Sequence, residues 1–161
     1  MSWQEIGIGE VDANSPVSTT LMGKIRNNLY WIFEQFSKAT LFDNTDRSAP
    51  SSGEILQNSN QWQTVETIKV YAPDFVQSLK FRIRAKITAG SDRQMRAREP
   101  ASGNNSDVYT FSGTDYEEMT LTLNNPASGL IDLNIQAKAT FSSGYPLCFV
   151  HWSLIRADEA K

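Results

Sequence analysis

The regular alternation of apolar and polar residues is the feature that most constrains how this chain folds. In "SLKFRIRAKITA", residues 78–89, every second residue is apolar and most of the residues between them are cationic. Side chains of a β-strand point alternately to two faces, so this period of two predicts a strand with one buried and one solvated face. The same alternation recurs in "EMTLTLN", 118–124, and in "LIDLNIQAKATF", 130–141. The chain is therefore expected to be rich in β-strands.

Four further segments and the turns between them indicate how these strands are arranged. "QWQTVETIKVYA", "DVYTFSG" and a weaker segment near "RQMRARE" add strands, and "LCFVHWSLIRA" is apolar enough to lie centrally in a sheet. Clusters rich in Gly, Asn, Asp, Ser and Pro separate them, among them "AGSD", "SGNNSD", "NNPASG" and "SSGYP". About seven short strands with turns and no helices between them predict an antiparallel β-sandwich of the jelly-roll kind. An immunoglobulin-like arrangement is the alternative, but the paired cysteines of that family are absent because the chain has only Cys148.

A different periodicity marks the start of the chain. Asn14 and Ser15 suit a helix N-cap and Pro16 suits the first helical position. Apolar residues then follow at separations that alternate between three and four, which is the heptad spacing of a coiled coil. These residues are Met22, Ile25, Leu29, Ile32, Phe36 and Ala39. Leucine at position a and isoleucine at position d favour three or four helices over two, so we expect self-association, with docking of the helix on its own domain as the alternative.

The two periodicities divide the chain into three parts. Residues 1–42 are expected to form a segment for self-association, with a coiled-coil-like helix over about 16–40. The polar segment 43–61 has the composition of a linker. Residues 62–161 form the β-sandwich, so the predicted fold class is mainly β.

Charge and composition exclude several kinds of partner. A net charge of −3 and a pI near 5.2 argue against nucleic acid, because proteins that bind phosphate backbones usually carry excess positive charge. One cysteine and one histidine argue against a zinc site, and no motif for a cofactor occurs, so neither a metal nor a cofactor is expected. No apolar stretch is long enough for membrane insertion, and the N-terminus does not resemble a signal peptide, so synthesis in a cytoplasm is expected.

Catalysis is not expected from the residues available. The chain contains no H-E-x-x-H, G-x-S-x-G or phosphate-binding glycine motif, and His151 lies in a predicted strand as a half-buried structural residue. Glycoside hydrolysis requires two carboxylates that face each other across a cleft. The candidates for such a pair are Asp115, Glu117, Glu118 and Asp132. Because any chain with 18 acidic residues offers similar pairs, a non-enzymatic role is favoured.

A basic strand face is the candidate site for a partner. It comprises Lys80, Arg82, Arg84 and Lys86, and it is followed in the chain by Arg93, Arg96 and Arg98. In an acidic protein such a face suits an acidic partner, either a protein subunit or an anionic polysaccharide. The alternative is a solvated face paired across strands with Glu117 and Glu118. Some of the aromatic residues are candidates for a sugar-stacking platform, namely Trp62, Tyr71, Tyr109, Tyr116 and Tyr145.

The N-terminal block resembles a segment found in bacteriophage virion proteins of the tail-fibre, head-spike and decoration type. The matching features are Trp3 and "EVDANSPVSTTLMGKIRNNLYWI", residues 10–32, with an acidic "VD" before "SP" and then "LM", "IR" and "NL" at helical spacing. Such proteins are trimers with a helical N-terminal part and a distal β-sandwich. This chain has no repetitive shaft between helix and sandwich, which favours a short spike or capsid ornament over a long fibre.

The resemblance implies a non-enzymatic homotrimer located on a virion. The five heptad residues from Met22 to Phe36 would form its three-helix core, and the N-terminal segment would attach it to other virion proteins. The sandwich would face outward and bind host-surface polysaccharide. Two alternatives remain open at this point: a monomeric carbohydrate-binding module with its helix folded back on the sandwich, and a polysaccharide depolymerase.

Overall fold

The computed structural model describes residues 4–7, 18–37, 40–74 and 76–160 of the chain. Side chains at 30, 31, 33–37 and 158–160 lie outside this description. Within it the protein is mainly β, with one helix and nine strands. No helix among these residues is long and apolar enough to cross a membrane.

All nine strands pair in the antiparallel sense, as the alternating patterns predict. The first sheet has the order β1-β9-β4-β7, with β2 also paired to β9, and the second has the order β3-β8-β5-β6. The strands are β1 Thr40–Asp43, β2 Glu54–Ile55, β3 Gln63–Ala72, β4 Val76–Ile87, β5 Ser91–Arg98, β6 Tyr109–Thr110, β7 Glu117–Asn124, β8 Gly129–Thr140 and β9 Leu147–Ala160. The seven predicted segments correspond to β3–β9, and β9 lies inside its sheet between β1 and β4 as its apolar sequence indicates.

The inner faces of the two sheets share one hydrophobic core. Phe81 and Ile83 of the first sheet and Leu133 and Ile135 of the second are completely buried in the same cluster. These residues occupy alternate positions on their strands, which is how a pleated strand delivers every second side chain to one side. Two antiparallel sheets around a single core make a β-sandwich.

A tight turn carries the chain from the first sheet to the second between β4 and β5. Gly90 lies in this turn with φ +91°, a backbone conformation that L side chains rarely adopt. A Cβ atom at this position would lie 2.9 Å from the carbonyl oxygen of Thr140, so a larger residue would collide with β8. Glycine therefore allows two consecutive strands to lie in different sheets.

The predicted linker 43–61 is wrong, because much of this segment belongs to the sandwich. It contains β2, and Leu56 is completely buried in the shared core. The Leu56 N–H donates to the Pro146 carbonyl at 2.9 Å, and the Ser51 N–H donates to the Val150 carbonyl at 2.9 Å. A polar segment can thus be ordered by backbone hydrogen bonds and one well-placed leucine.

Helix α1, Thr19–Ser37, begins at a different cap from the predicted one. The Ser18 hydroxyl accepts a hydrogen bond from the Leu21 N–H at 3.0 Å, as an N-cap serine does. Asn14, Ser15 and Pro16 lie outside the described residues. Buried Asn28 also bonds the segment 4–7, accepting from the Gln4 N–H and donating to the Gln4 carbonyl, both at 2.8 Å.

The helix docks on β9 of its own chain. Leu21 and Asn28 are its buried side chains, and on β9 Trp152 and Leu154 are buried outside the central core. The predicted heptad residues are only partly covered, with Ile25 and Ile32 half-buried. Met22 and Leu29, both at predicted a positions, are 54% and 49% exposed. The Phe36 side chain lies outside the described residues.

Candidate functional site

The predicted basic face lies on the outer side of β4. Lys80 and Arg82 are exposed and Arg84 and Lys86 are half-buried, while the residues between them point into the core. Alternate residues on a strand are separated by about 6.7 Å, so the four cations form a row about 20 Å long. We refer to Lys80, Arg82, Arg84 and Lys86 as the cationic row.

Three of these cations lie over aromatic rings from β9 and from the loop before β7. The Arg82 guanidinium carbon is 5.5 Å from the centre of the Trp152 ring. The Arg84 guanidinium carbon and the Lys86 ammonium nitrogen are 5.6 Å and 4.7 Å from the Tyr116 ring centre. Lys86 also lies 5.2 Å from the ring centre of Phe149. Cation–π contacts of this kind hold a charged group in place without neutralising it.

A β-bulge brings Trp152 of β9 to this face. Cys148 and Val150 are buried in the core, but the pairing of β4 with β9 shifts between Arg84 and Ala85. Beyond the shift, the buried positions are those of Ser153 and Ile155. Trp152 therefore lies on the outer side of the sheet, where Phe149 also lies. One extra residue in a strand changes which face the following side chains occupy.

Among the described ion pairs, only one carboxylate contacts the cationic row. Arg82 Nη2 lies 2.8 Å from Glu118 Oε2, so Glu118 pairs across strands as the alternative interpretation expects. Glu117 does not do so. Its carboxylate accepts hydrogen bonds from the Tyr109 hydroxyl and from the Gly113 N–H, both at 2.7 Å. None of the described ion pairs involves Arg84 or Lys86, so this part of the row keeps its positive charge.

These hydrogen bonds also fix the ionisation of Glu117. Burial acts to raise the pKa of its carboxyl, but the bonds from Gly113, Tyr109 and Ser112 outweigh burial and lower that pKa. Donation to Glu117 in turn raises the pKa of the Tyr109 hydroxyl. Glu117 thus remains a carboxylate. It holds the loop 111–116, which carries Tyr116.

A shallow depression of about 180 Å³ lies beside the row. Its lining residues are Lys80, Arg82, Thr120, Leu154 and Arg156. The pKa of the Asp43 carboxyl is lowered, chiefly by hydrogen bonds from Thr45 and in addition by the positive charge of Arg156. The depression offers three cations around the buried edge of Leu154, which is a suitable setting for an anionic group joined to an apolar surface.

Arg96 and Arg98, which follow the basic face in the chain, lie on the other sheet. They belong to β5 of the second sheet, whose outer face points away from the first sheet. There the Arg96 guanidinium carbon lies 4.3 Å from the centre of the Trp62 ring, and Lys138 Nζ lies 5.1 Å from it. Arg96 Nε also donates to Gln136 Oε1 at 2.9 Å. We refer to Trp62, Arg96, Gln136 and Lys138 as the Trp62 cluster.

The predicted aromatic candidates do not form one platform. Tyr71 and Tyr145 are 65% and 68% exposed, but Tyr145 lies in the 141–146 loop against Phe141 and Tyr71 is on β3. Tyr109 bonds Glu117, as described above. Trp152, Phe149 and Arg156 were not among the predicted site residues. The outward position of Trp152 and Arg156 depends on the bulge in β9, whereas Phe149 precedes the bulge.

The described residues give no paired carboxylates across a cleft. Glu118 lies on the first sheet with Arg82, whereas Asp132 lies on the second with its carboxylate 3.3 Å from Lys69 Nζ. His151 is half-buried, with its ring 5.6 Å from that of Tyr116. In the part of the chain that the structure describes, no group of three or more His, Cys, Asp or Glu residues is placed to hold a metal ion.

Comparison with solved structures finds similarity to several carbohydrate-binding modules. One is the module CBM6cm-2 of Cellvibrio mixtus lichenase 5A, in complex with cellotriose, at 16% identity and a TM-score of 0.43, covering 73% of this chain and 95% of that one. A second is the CBM36-1 domain of a multidomain xylanase from the hindgut metagenome of Trinervitermes trinervoides, at 15% identity and a TM-score of 0.44, covering 76% and 91%. A third is the C-terminal CBM6 of LamC, a marine laminarinase from Zobellia galactanivorans, at 11% identity and a TM-score of 0.42, covering 73% and 93%.

These similarities leave the function to be argued from the geometry of the chain itself. Identities and TM-scores of this size carry no argument about what this protein binds. Comparison with protein-family models gives no match, and comparison with curated sequences gives none either.

Proposed function

We propose that the protein is a non-enzymatic binding module whose cationic row holds an acidic polysaccharide. The observation that carries this proposal is the arrangement of Arg82, Arg84 and Lys86, each over an aromatic ring, with one carboxylate among the described ion pairs of the row. Cations held by rings lose little further freedom when an anion binds. Because no described ion pair involves Arg84 or Lys86, the charge of these two residues is available to a ligand.

The shape of the row favours a linear polyanion. Four cations follow one another along a straight strand over about 20 Å, which suits a ligand with carboxylates repeated along its length. A guanidinium group binds a carboxylate through two parallel hydrogen bonds, so Arg84 suits a uronic acid residue. The half-buried Phe149 ring beside the row offers contact to the C–H faces of the sugar rings.

Nucleic acid fits this surface less well. The rings beside the row already carry cations, so they are not free to stack with bases. An acidic glycan needs no base stacking.

The proposal is tested by calorimetric titration with polygalacturonate, with dextran as the neutral comparison. The substitution pair Arg84→Gln/Lys86→Gln should weaken binding at least about tenfold, because a hydrogen bond to a charged group contributes roughly 1.5–3 kcal/mol. The matched control is Arg26→Gln/Lys69→Gln, which removes the same charge from the helix and from the second sheet. Equal affinity for dextran, or equal losses in both variants, would refute an acidic glycan site on the row.

We propose, as a second candidate, a homotrimeric virion fibre, spike or decoration subunit. The supporting observation is that Met22 and Leu29 remain about half exposed while the helix docks through Leu21 and Asn28. An apolar stripe of this kind is available to a second and third copy of the helix. None of the three structures described above is a viral protein, so this candidate rests on the stripe and on the N-terminal resemblance.

Light scattering over a dilution series tests the second candidate. A stable mass near three times 18.0 kDa supports it, and Leu29→Asp should then yield monomers with an intact sandwich. Thr19→Asp is the control, since it adds the same charge at the first turn of α1 but lies off the predicted a and d positions. A monomeric wild-type chain at all concentrations would remove the trimer.

A further inference from the structure

The Trp62 cluster repeats, on the opposite side of the sandwich, the arrangement of the cationic row. Arg96 and Lys138 lie 4.3 Å and 5.1 Å from the centre of one aromatic ring, on neighbouring strands of the second sheet. Gln136 is buried and accepts from Arg96 Nε at 2.9 Å, which fixes the direction of the guanidinium group. Both cations are therefore positioned by contacts that leave their charge intact.

Positive charge also exceeds negative charge around this cluster. Arg98 follows Arg96 on the same outer face, and none of the described ion pairs involves Arg96, Arg98 or Lys138. The nearest ion pair along β8 is Asp132 with Lys69, and it is neutral overall. Among the described hydrogen bonds, Lys138 Nζ donates to a neutral acceptor, Asn60 Oδ1, at 3.4 Å. The cluster thus has the charge that an anionic ligand requires.

We infer that the Trp62 cluster is a second site for the same acidic polysaccharide, so that one protein molecule bridges two polysaccharide chains. This inference rests on the proposed function, since it assigns the same class of ligand. The two sites lie on the outer faces of the two sheets, with the common core between them. A single short oligosaccharide cannot reach both, whereas a solution of long chains becomes cross-linked through proteins bound on both sides.

Two measurements on four proteins test the bridging. The proteins are the wild type, the row variant Arg84→Gln/Lys86→Gln, the cluster variant Arg96→Gln/Lys138→Gln and the control Arg26→Gln/Lys69→Gln. Calorimetry with a short oligogalacturonate gives the number of sites per chain. Light scattering with long polygalacturonate reports cross-linking, and thermal melting shows that each variant remains folded.

The expected result is two oligosaccharides per chain for the wild type and the control, and one for each of the other variants. Wild type and control should cross-link polygalacturonate, with the scattering falling again in excess protein, while the row and cluster variants bind without cross-linking. One oligosaccharide per wild-type chain, or cross-linking that survives in the cluster variant, overturns this inference but leaves the proposed function intact. Absence of binding in the wild type overturns both.

Discussion

Leu56 offers the sharpest test of where the folded domain begins. This leucine lies in the polar segment 43–61, yet it is completely buried among core residues of both sheets. Leu56→Ala removes three methylene-sized groups from the core and leaves a cavity, which typically costs about 2–5 kcal/mol of unfolding free energy. For a chain of this length each kcal/mol lowers Tm by about 2–4 °C, so a loss of about 3 kcal/mol predicts a fall of about 6–12 °C.

The neighbouring residue provides the control. Ile55 is 51% exposed, and Ile55→Ala should change the unfolding free energy by no more than about 0.5–1 kcal/mol. Both variants are measured by thermal and urea unfolding monitored by circular dichroism. Similar melting temperatures for Leu56→Ala and the wild type would show that the segment is a solvated linker and that the domain begins after it.

Two further perturbations test the loops that support the cationic row. Because the folded-state pKa of Glu117 is lowered, its stabilisation is present above the ordinary pKa of glutamate and is lost as pH falls through the folded value. Glu117→Gln should therefore lower Tm near neutral pH, and the difference from the wild type should shrink in acid; a constant difference would contradict this. Gly53→Ala should lower Tm more than Gly103→Ala, although both positions have positive φ. At Gly53 the new Cβ would meet Phe149 Cε1 at 2.6 Å, whereas at Gly103 no atom lies within 4 Å; equal losses in thermal melts would contradict the close contact.

Local sequence determined the strands, their faces and the outward position of the cationic row. The alternation in residues 78–89 is a property of neighbouring residues, and the pleat of any strand places Lys80, Arg82, Arg84 and Lys86 on one side. Likewise, the helical spacing after Ser18 was sufficient to predict α1. Its docking face was not, because the helix packs on β9, a strand that follows more than a hundred residues later.

Tertiary structure decided which strands meet, and thereby how the cations are grouped. β4 and β5 are adjacent in the chain, but Gly90 lets them enter different sheets, so Arg96 faces away from Arg84. The pairing of β4 with β9 and the bulge in β9 place Trp152 beneath Arg82. Pairing and bulges depend on contacts between residues distant in sequence, whereas periodicity is local. For this reason the sequence predicted the cationic row on β4, whereas the separate position of Arg96 on the opposite face follows only from the fold.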